Sequence, residues 1–265
     1  GLIPFQALLE AGHYYLRAQG KTPGVPVIDA LSTAVYSMGL GDIAPFDVTT
    51  KVLGMPSAPE TALVAKTVAD FVDEVSRETP APGGGSIAAL AGALAAALAA
   101  MVASLTHGRG EPELDPAMVE ISVEAQRLKE TLLRAVDADT DAFTAYLEAR
   151  RLPTSTPALK AARVAAMDAG LKSAVEVPYQ TAVQSLAAMR LADRVARQGN
   201  PNSITDGAVA IQMGYAGVRG GVWNVQINLA DITDGDYVES MRGRCADLVR
   251  DAHELMEATT AFVDE

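Results

Sequence analysis

Asp139 is the residue in this sequence best placed to move a proton. Around it Leu132, Leu133, Val136, Phe143, Tyr146 and Leu147 recur at helical spacing and form one apolar stripe. Asp137, Thr140, Asp141, Thr144 and Glu148 fall on the opposite, polar face. Asp139 sits on the apolar stripe, between Val136 and Phe143. A carboxylate among apolar side chains has an expensive charged form, so its pKa is expected to rise unless it is paired. Such a group can accept and return a proton near neutral pH. The position equally suits a structural Asp that bonds a helix cap or an arginine, because ion pairs within a fold produce such carboxylates too.

Four other groups could hold a ligand. Gly83, Gly84 and Gly85 leave backbone N–H groups uncovered just before an alanine-rich helix, with Ser86 as the expected N-cap. The positive end of that helix could receive a carboxylate, a phosphate or a carbonyl oxygen, or the loop could be a tight turn between helices. It is neither a Walker loop, which needs Gly-Lys-[Ser/Thr], nor a dinucleotide fingerprint, which needs a preceding strand. Further on, Gly214, Gly217, Gly221, Asn224 and Asn228 share one face of a helix. Five glycines in that helix each cost roughly 1 kcal/mol against alanine, so another helix or a flat ligand must approach closely there. The two asparagines could bond a heterocycle edge or each other's neighbours across a packed interface. Arg109 is the first positive charge after Arg77 and could be an anion clamp or a solvated surface group. The polar run from Asn200 through Asn202 to Asp206 reads as a turn or a binding loop, with Asp206 as the expected cap of the next helix.

The elements that must position these residues are helical throughout. Aromatic residues are only 5% of the 265, alanine is abundant, and no run alternates like a strand. Helices are expected over Leu2–Ala18, Val27–Met38, Thr61–Arg77, Ile87–Leu105, Ala117–Arg150, Pro157–Gln198, Gly207–Leu229 and Asp234–Val263, with a short one possible at Phe46–Leu53. Pro178 is expected to kink or split its helix near Val177, and Gly54–Glu60 reads as a linker. The uncharged run from Ser86 to Leu105 is long enough for a membrane span. Its alanine content and lack of a basic flank fit better a helix at the centre of a bundle. The fold class is therefore all-α, an up-and-down helical bundle around an alanine-rich helix.

Composition narrows the function. There are 33 acidic and 21 basic residues, a net charge of −12, which disfavours nucleic acid and anionic membranes as partners. Three histidines and one cysteine, far apart, make a metal site unexpected and an internal disulfide impossible. Nothing points to an oxidising compartment, and the expected location is cytoplasmic. The chain starts Gly-Leu-Ile-Pro, which reads as a piece of something longer and not as a signal peptide.

Several motifs carry a resemblance. Pro82-Gly83-Gly84-Gly85-Ser86, Thr106-x-Gly108-Arg109, Val136-Asp137-Ala138-Asp139-x-x-Ala142-Phe143, Gly199-Asn200-x-Asn202-x-x-x-Asp206 and Asn224-Val225-x-Ile227-Asn228-Leu229 follow in that order. Together they resemble the cyclodeaminase domain of the formimidoyltransferase-cyclodeaminases and their relatives, the methenyltetrahydrofolate cyclohydrolases. One departure is Gly110, where relatives often carry a basic residue. Residues 1–58 resemble the tail of a formimidoyltransferase domain plus a linker, and 59–265 the cyclodeaminase domain. The resemblance implies a tetrahydrofolate substrate carrier without a metal, and a homo-oligomer with its site near a subunit interface. It also implies a transferase domain in the same polypeptide, and Asp139 as the catalytic carboxylate. The implied activity is cyclisation of formimidoyltetrahydrofolate with release of ammonia, in one-carbon metabolism and histidine degradation. Cyclohydrolase activity, or a non-catalytic module that assembles the transferase, are the alternatives.

Overall fold

Alanine decides the middle of the fold. In the computed structural model, which describes residues 1–56, 59, 61–109 and 111–265, the helix α5 (Gly84–Thr106) packs against three others. These are α6 (Asp115–Arg150), α7 (Pro157–Gln198) and α8 (Ile204–Leu229). Two-thirds of its most apolar stretch is buried in that bundle, as a core helix requires. Ala89, Ala95, Ala96, Ala99 and Ala103 are fully buried, and their small side chains let the neighbours close in. The last helix, α9 (Gly235–Asp264), covers α7 and α8. The chain is all-α, with 2% strand.

Several helix ends follow their caps. The Thr156 hydroxyl accepts from the Leu159 N–H with Pro157 at the first helical position, and Asp234 accepts from the Tyr237 N–H. Two expected caps are wrong. Ser86 lies inside the first turn of α5, whose N-cap is Gly83, and its hydroxyl donates to Val136 O on α6 at 2.8 Å. Asp206 lies inside the first turn of α8, which begins at Ile204. The helix α7 runs through Pro178 as one assigned segment, so the expected split does not occur.

The N-terminal part departs further. The first helix, α1, spans Phe5–Ala18, because Ile3–Pro4 form β1, which pairs in parallel with β2 (Val52–Leu53). The helices α2 (Val27–Ser37) and α3 (Val48–Lys51) lie between them. Leu8, Leu31, Ala34 and Val52 form a small core of their own. This unit touches the bundle where Thr22 bonds Ser122 of α6 and where Gly24 rests on Ser122 so closely that a Cβ would collide. The expected helix Thr61–Arg77 is a 3₁₀ turn at Leu63–Ala65 followed by α4, only Val68–Val75, capped by Thr67. Phe71 is buried there, but Val68 and Val72 face solvent. The expected linker and the boundary at residue 58 fall partly on residues 57, 58 and 60, outside the described residues, as does Gly110.

Candidate active site

The start of α5 is built around a missing side chain. A Cβ on Gly85 would fall on the carboxyl group of Asp139, so the acid fills the volume that any larger residue at position 85 would take. Ser86, next in the chain and fully buried, fastens the same turn to the Val136 carbonyl, three residues before Asp139. Burial pushes the Asp139 pKa up from the usual carboxylate range, and the Ser86 N–H and hydroxyl offset this only in part. Asp139 therefore has the geometry and the electrostatics that its place on the apolar stripe predicts.

Asp139 opens on a cleft of 390 Å³. Gly83 and Gly84 form one edge and Asn224 and Asn228 another, with Phe143, Leu147 and Ile227 as apolar walls. Two of the four expected ligand groups thus reach the acid. The glycine loop and the asparagine pair meet Asp139, whereas Gly85 and Ser86 lie buried at its base.

The glycine stripe of α8 has a split purpose. Gly214 packs on Met189, Gly217 on Ser185 and Gly221 on the carbonyl of Pro178, so these glycines serve helix packing. The asparagines one and two turns further reach the cleft. Asn224 Nδ2 donates to Gly220 O at 2.8 Å, and Asn228 Nδ2 donates to Ala174 O at 2.6 Å. Ala174 O is the acceptor that an amide at position 178 would normally use, and Pro178 has none. Asn228 therefore repairs the proline's missing hydrogen bond, and its Oδ1 is the atom left to act as an acceptor.

Arg109, Asn200 and Asn202 line a different cavity, of 690 Å³, at the far end of α5. The two ends are separated by the length of a 23-residue helix, about 33 Å. The loop there is self-bonded. Asn202 N donates to Asn200 Oδ1, and Asn200 N donates to Thr106 Oγ1. Asp206 lines neither cavity. Within one chain, then, the expected site residues do not converge.

The sequence reading missed Arg150 and Asp231, which both line the Asp139 cleft. The signal for Arg150 was present, since Asp139, Phe143, Tyr146, Leu147 and Arg150 continue one helical face. Asp137, on the polar face of the same helix, is tied to another segment. Its Oδ1 accepts from Leu63 N at 2.6 Å and its Oδ2 from Val64 N at 3.4 Å, which ties the 3₁₀ turn to α6. Among the described residues no group of three or more His, Cys, Asp or Glu is placed to hold a metal ion.

Comparison with known proteins identifies the family and the fold. The profile of the formiminotransferase-cyclodeaminase family matches residues 67–247. The mouse (Mus musculus) formimidoyltransferase-cyclodeaminase is 36% identical over 95% of this chain and 47% of its own length. A methenyltetrahydrofolate cyclohydrolase from Methylorubrum extorquens is 34% identical over 72% of this chain and 93% of its own. A solved structure of a formiminotetrahydrofolate cyclodeaminase from Thermotoga maritima superposes with a TM-score of 0.62 and 26% identity, over 75% of this chain and 93% of that one. The chain spans about half the length of the bifunctional relatives it matches. A buried acid set against the glycine-started α5, on a bundle shared with a solved cyclodeaminase, and a profile match across most of the chain place it in one group: the chain belongs to the formiminotransferase-cyclodeaminase family.

Proposed function

We propose that this chain is a formimidoyltetrahydrofolate cyclodeaminase, with Asp139 as its acid and base. The observation that carries the reading is the Asp139 carboxyl, desolvated against Gly85 and open to a cleft walled by apolar side chains and rimmed by two asparagines. In the substrate the formimidoyl carbon is attached to N5 of the reduced pterin, and its terminal nitrogen carries a second proton, as an amidinium. The N10 nitrogen attacks that carbon and gives its proton to the Asp139 carboxylate. The tetrahedral carbon then carries N5, N10 and an amino group. Asp139 returns the proton to the amino group, which leaves as ammonia, and the methenyl cation remains across N5 and N10. The ionised Asp139 left by that second transfer also stabilises the cation. Holding N10 against the amidine carbon needs a rigid wall, which Phe143, Leu147 and Ile227 supply, with the Gly83–Gly84 edge and the two asparagines for the pterin's polar rim.

The match to a methenyltetrahydrofolate cyclohydrolase favours a second reading in which water attacks the methenyl carbon in the same cleft. We further infer a homo-oligomer and a transferase domain in the same polypeptide, within one-carbon metabolism and histidine degradation, in the cytoplasm. Ile87, Leu94 and Met101 on α5 and Trp223 and Ile227 on α8 are exposed apolar groups on two neighbouring helices, which supports the first. The doubled length of the bifunctional relatives supports the second.

The experiment follows methenyl absorbance with formimidoyltetrahydrofolate in wild type and Asp139→Asn, with Asp141→Asn, an exposed residue on the same helix, as control. Turnover should fall by roughly two to four decades in Asp139→Asn, the usual worth of a positioned acid/base, and hold in Asp141→Asn. Methenyl consumption without formation from the formimidoyl compound would select the cyclohydrolase. Near-normal turnover in folded Asp139→Asn would remove Asp139 from the chemistry.

A further inference from the structure

We propose that Arg150 binds the carboxylate end of the substrate and so fixes which way round it lies in the Asp139 cleft. The inference rests on the folate reading above and adds a recognition residue to it. Asp139, Phe143, Tyr146, Leu147 and Arg150 follow one another at steps of four, three, one and three along α6, and all five line the same cleft. From Asp139 to Arg150 is eleven residues, about three turns and about 16 Å of helix axis. Side chains on a helix lean towards its N-terminus, so Arg150 leans back towards Asp139 and shortens that span. What remains suits the aminobenzoyl-glutamate arm, on the order of 10 Å when extended, the length of about three extended residues.

Charge supports the same orientation. Among the described residues lining the cleft, Arg150 is the one cation, in a chain of net charge −12. Its guanidinium sits 5.9 Å from the centre of the Tyr146 ring, and it forms none of the ion pairs found among the described residues. Asp231, the second acid of the cleft, accepts instead from the Tyr146 hydroxyl at 3.5 Å. Tyr146 therefore holds Asp231 on one side and carries Arg150 over its ring. The substrate is polar in the matching sense, since its reacting end becomes a methenyl cation and its other end bears the glutamate carboxylates. With the cation beside Asp139 and the carboxylates on the planar fork of Arg150, both ends are satisfied. The reversed pose would set carboxylates against a carboxylate.

The test compares two substrates in wild type, Arg150→Ala and Arg150→Lys. One is formimidoyltetrahydrofolate and the other is the same compound ending at the uncharged benzamide, without glutamate. Arg150→Ala should raise KM for the folate by roughly 10- to 100-fold, as expected for losing hydrogen bonds to a charged group. It should leave kcat within about twofold, the mark of binding shared by ground and transition states. KM for the truncated compound should not change, and Arg150→Lys should fall between. An unchanged KM for the folate, or an equal loss on both compounds, overturns the proposal. Absence of turnover in wild type would overturn the cyclodeaminase reading alone. Calorimetric titration of the unsubstituted tetrahydro compounds, with and without glutamate, then decides the role of Arg150. A wild-type preference for the glutamate form that Arg150→Ala abolishes upholds it, and equal affinities in wild type overturn it.

Discussion

At Asp139 a single position would couple the proposed catalysis to stability. The carboxyl is pressed onto Gly85 and its pKa is raised by burial. A carboxyl whose pKa is higher folded than unfolded holds protons more tightly in the native state. Its contribution favours the fold at low pH and is lost as pH rises through the folded value. Asp139→Asn removes that loss. Melting temperatures of the variant and wild type should therefore coincide near about pH 4 and separate in favour of the variant as pH rises, levelling off once Asp139 is ionised in both states. A variant less stable than wild type at neutral pH would show that the carboxylate is held by partners and not merely buried. The acid limb of the rate profile should lie above the ordinary carboxylate range for the same reason. The raised pKa was legible because helical period alone separates Asp139 from Asp137. The bonds from Asp137 to Leu63 and Val64 were not, since their donors lie more than seventy residues away and belong to a turn that apolar spacing disguised as helix.

Among the elements, α7 and α8 show how a local fault becomes a tertiary specification. Pro178 leaves the Ala174 carbonyl without its helical donor, Asn228 supplies one, and Gly221 gives the Pro178 carbonyl room to approach. Asn228→Leu should cost about 1–3 kcal/mol, the penalty for a half-buried acceptor left unmade. Pro178→Ala restores an amide at position 178, so the same Asn228→Leu change made in that background should cost clearly less. Equal costs in both backgrounds, read by denaturant unfolding, would show the two sites to be uncoupled. From sequence, Pro178 is a break and Asn228 a possible ligand residue. Their mutual cancellation appears only when two helices fifty residues apart are laid side by side. Side chains cap helices where they have no better partner, as at Thr156 and Asp234. The expected caps fail at Ser86, whose hydroxyl has the Val136 carbonyl to bond, and at Asp206, where α8 begins two residues earlier. The pairing of β1 with β2 has two residues a side, too short to leave a periodic trace.

Across the whole molecule, α5 separates two polar ends that the motif order lists as neighbours, and sequence order carries no information about that length. The exposed Ile87, Leu94 and Met101 lie seven residues apart along it, one flank between the two cavities. Leu94→Arg should shift the protein towards monomer in sedimentation velocity while far-ultraviolet circular dichroism stays the same. An assembly indifferent to that charge would place the subunit contact elsewhere. The alanine content of α5 has another consequence, for which changes the protein can accumulate. A buried alanine gives up no rotamer freedom on folding, so the buried face of α5 has few flexible side chains with which to absorb an error. In a leucine-rich core the costly changes are truncations. On the buried face of α5 there is almost nothing to truncate, and the costly direction is growth: each added methylene at Ala89, Ala96 or Ala103 must displace its neighbours, at about 1–3 kcal/mol. The physical consequence is that α5 tolerates substitution on its exposed flank and resists it on its buried one.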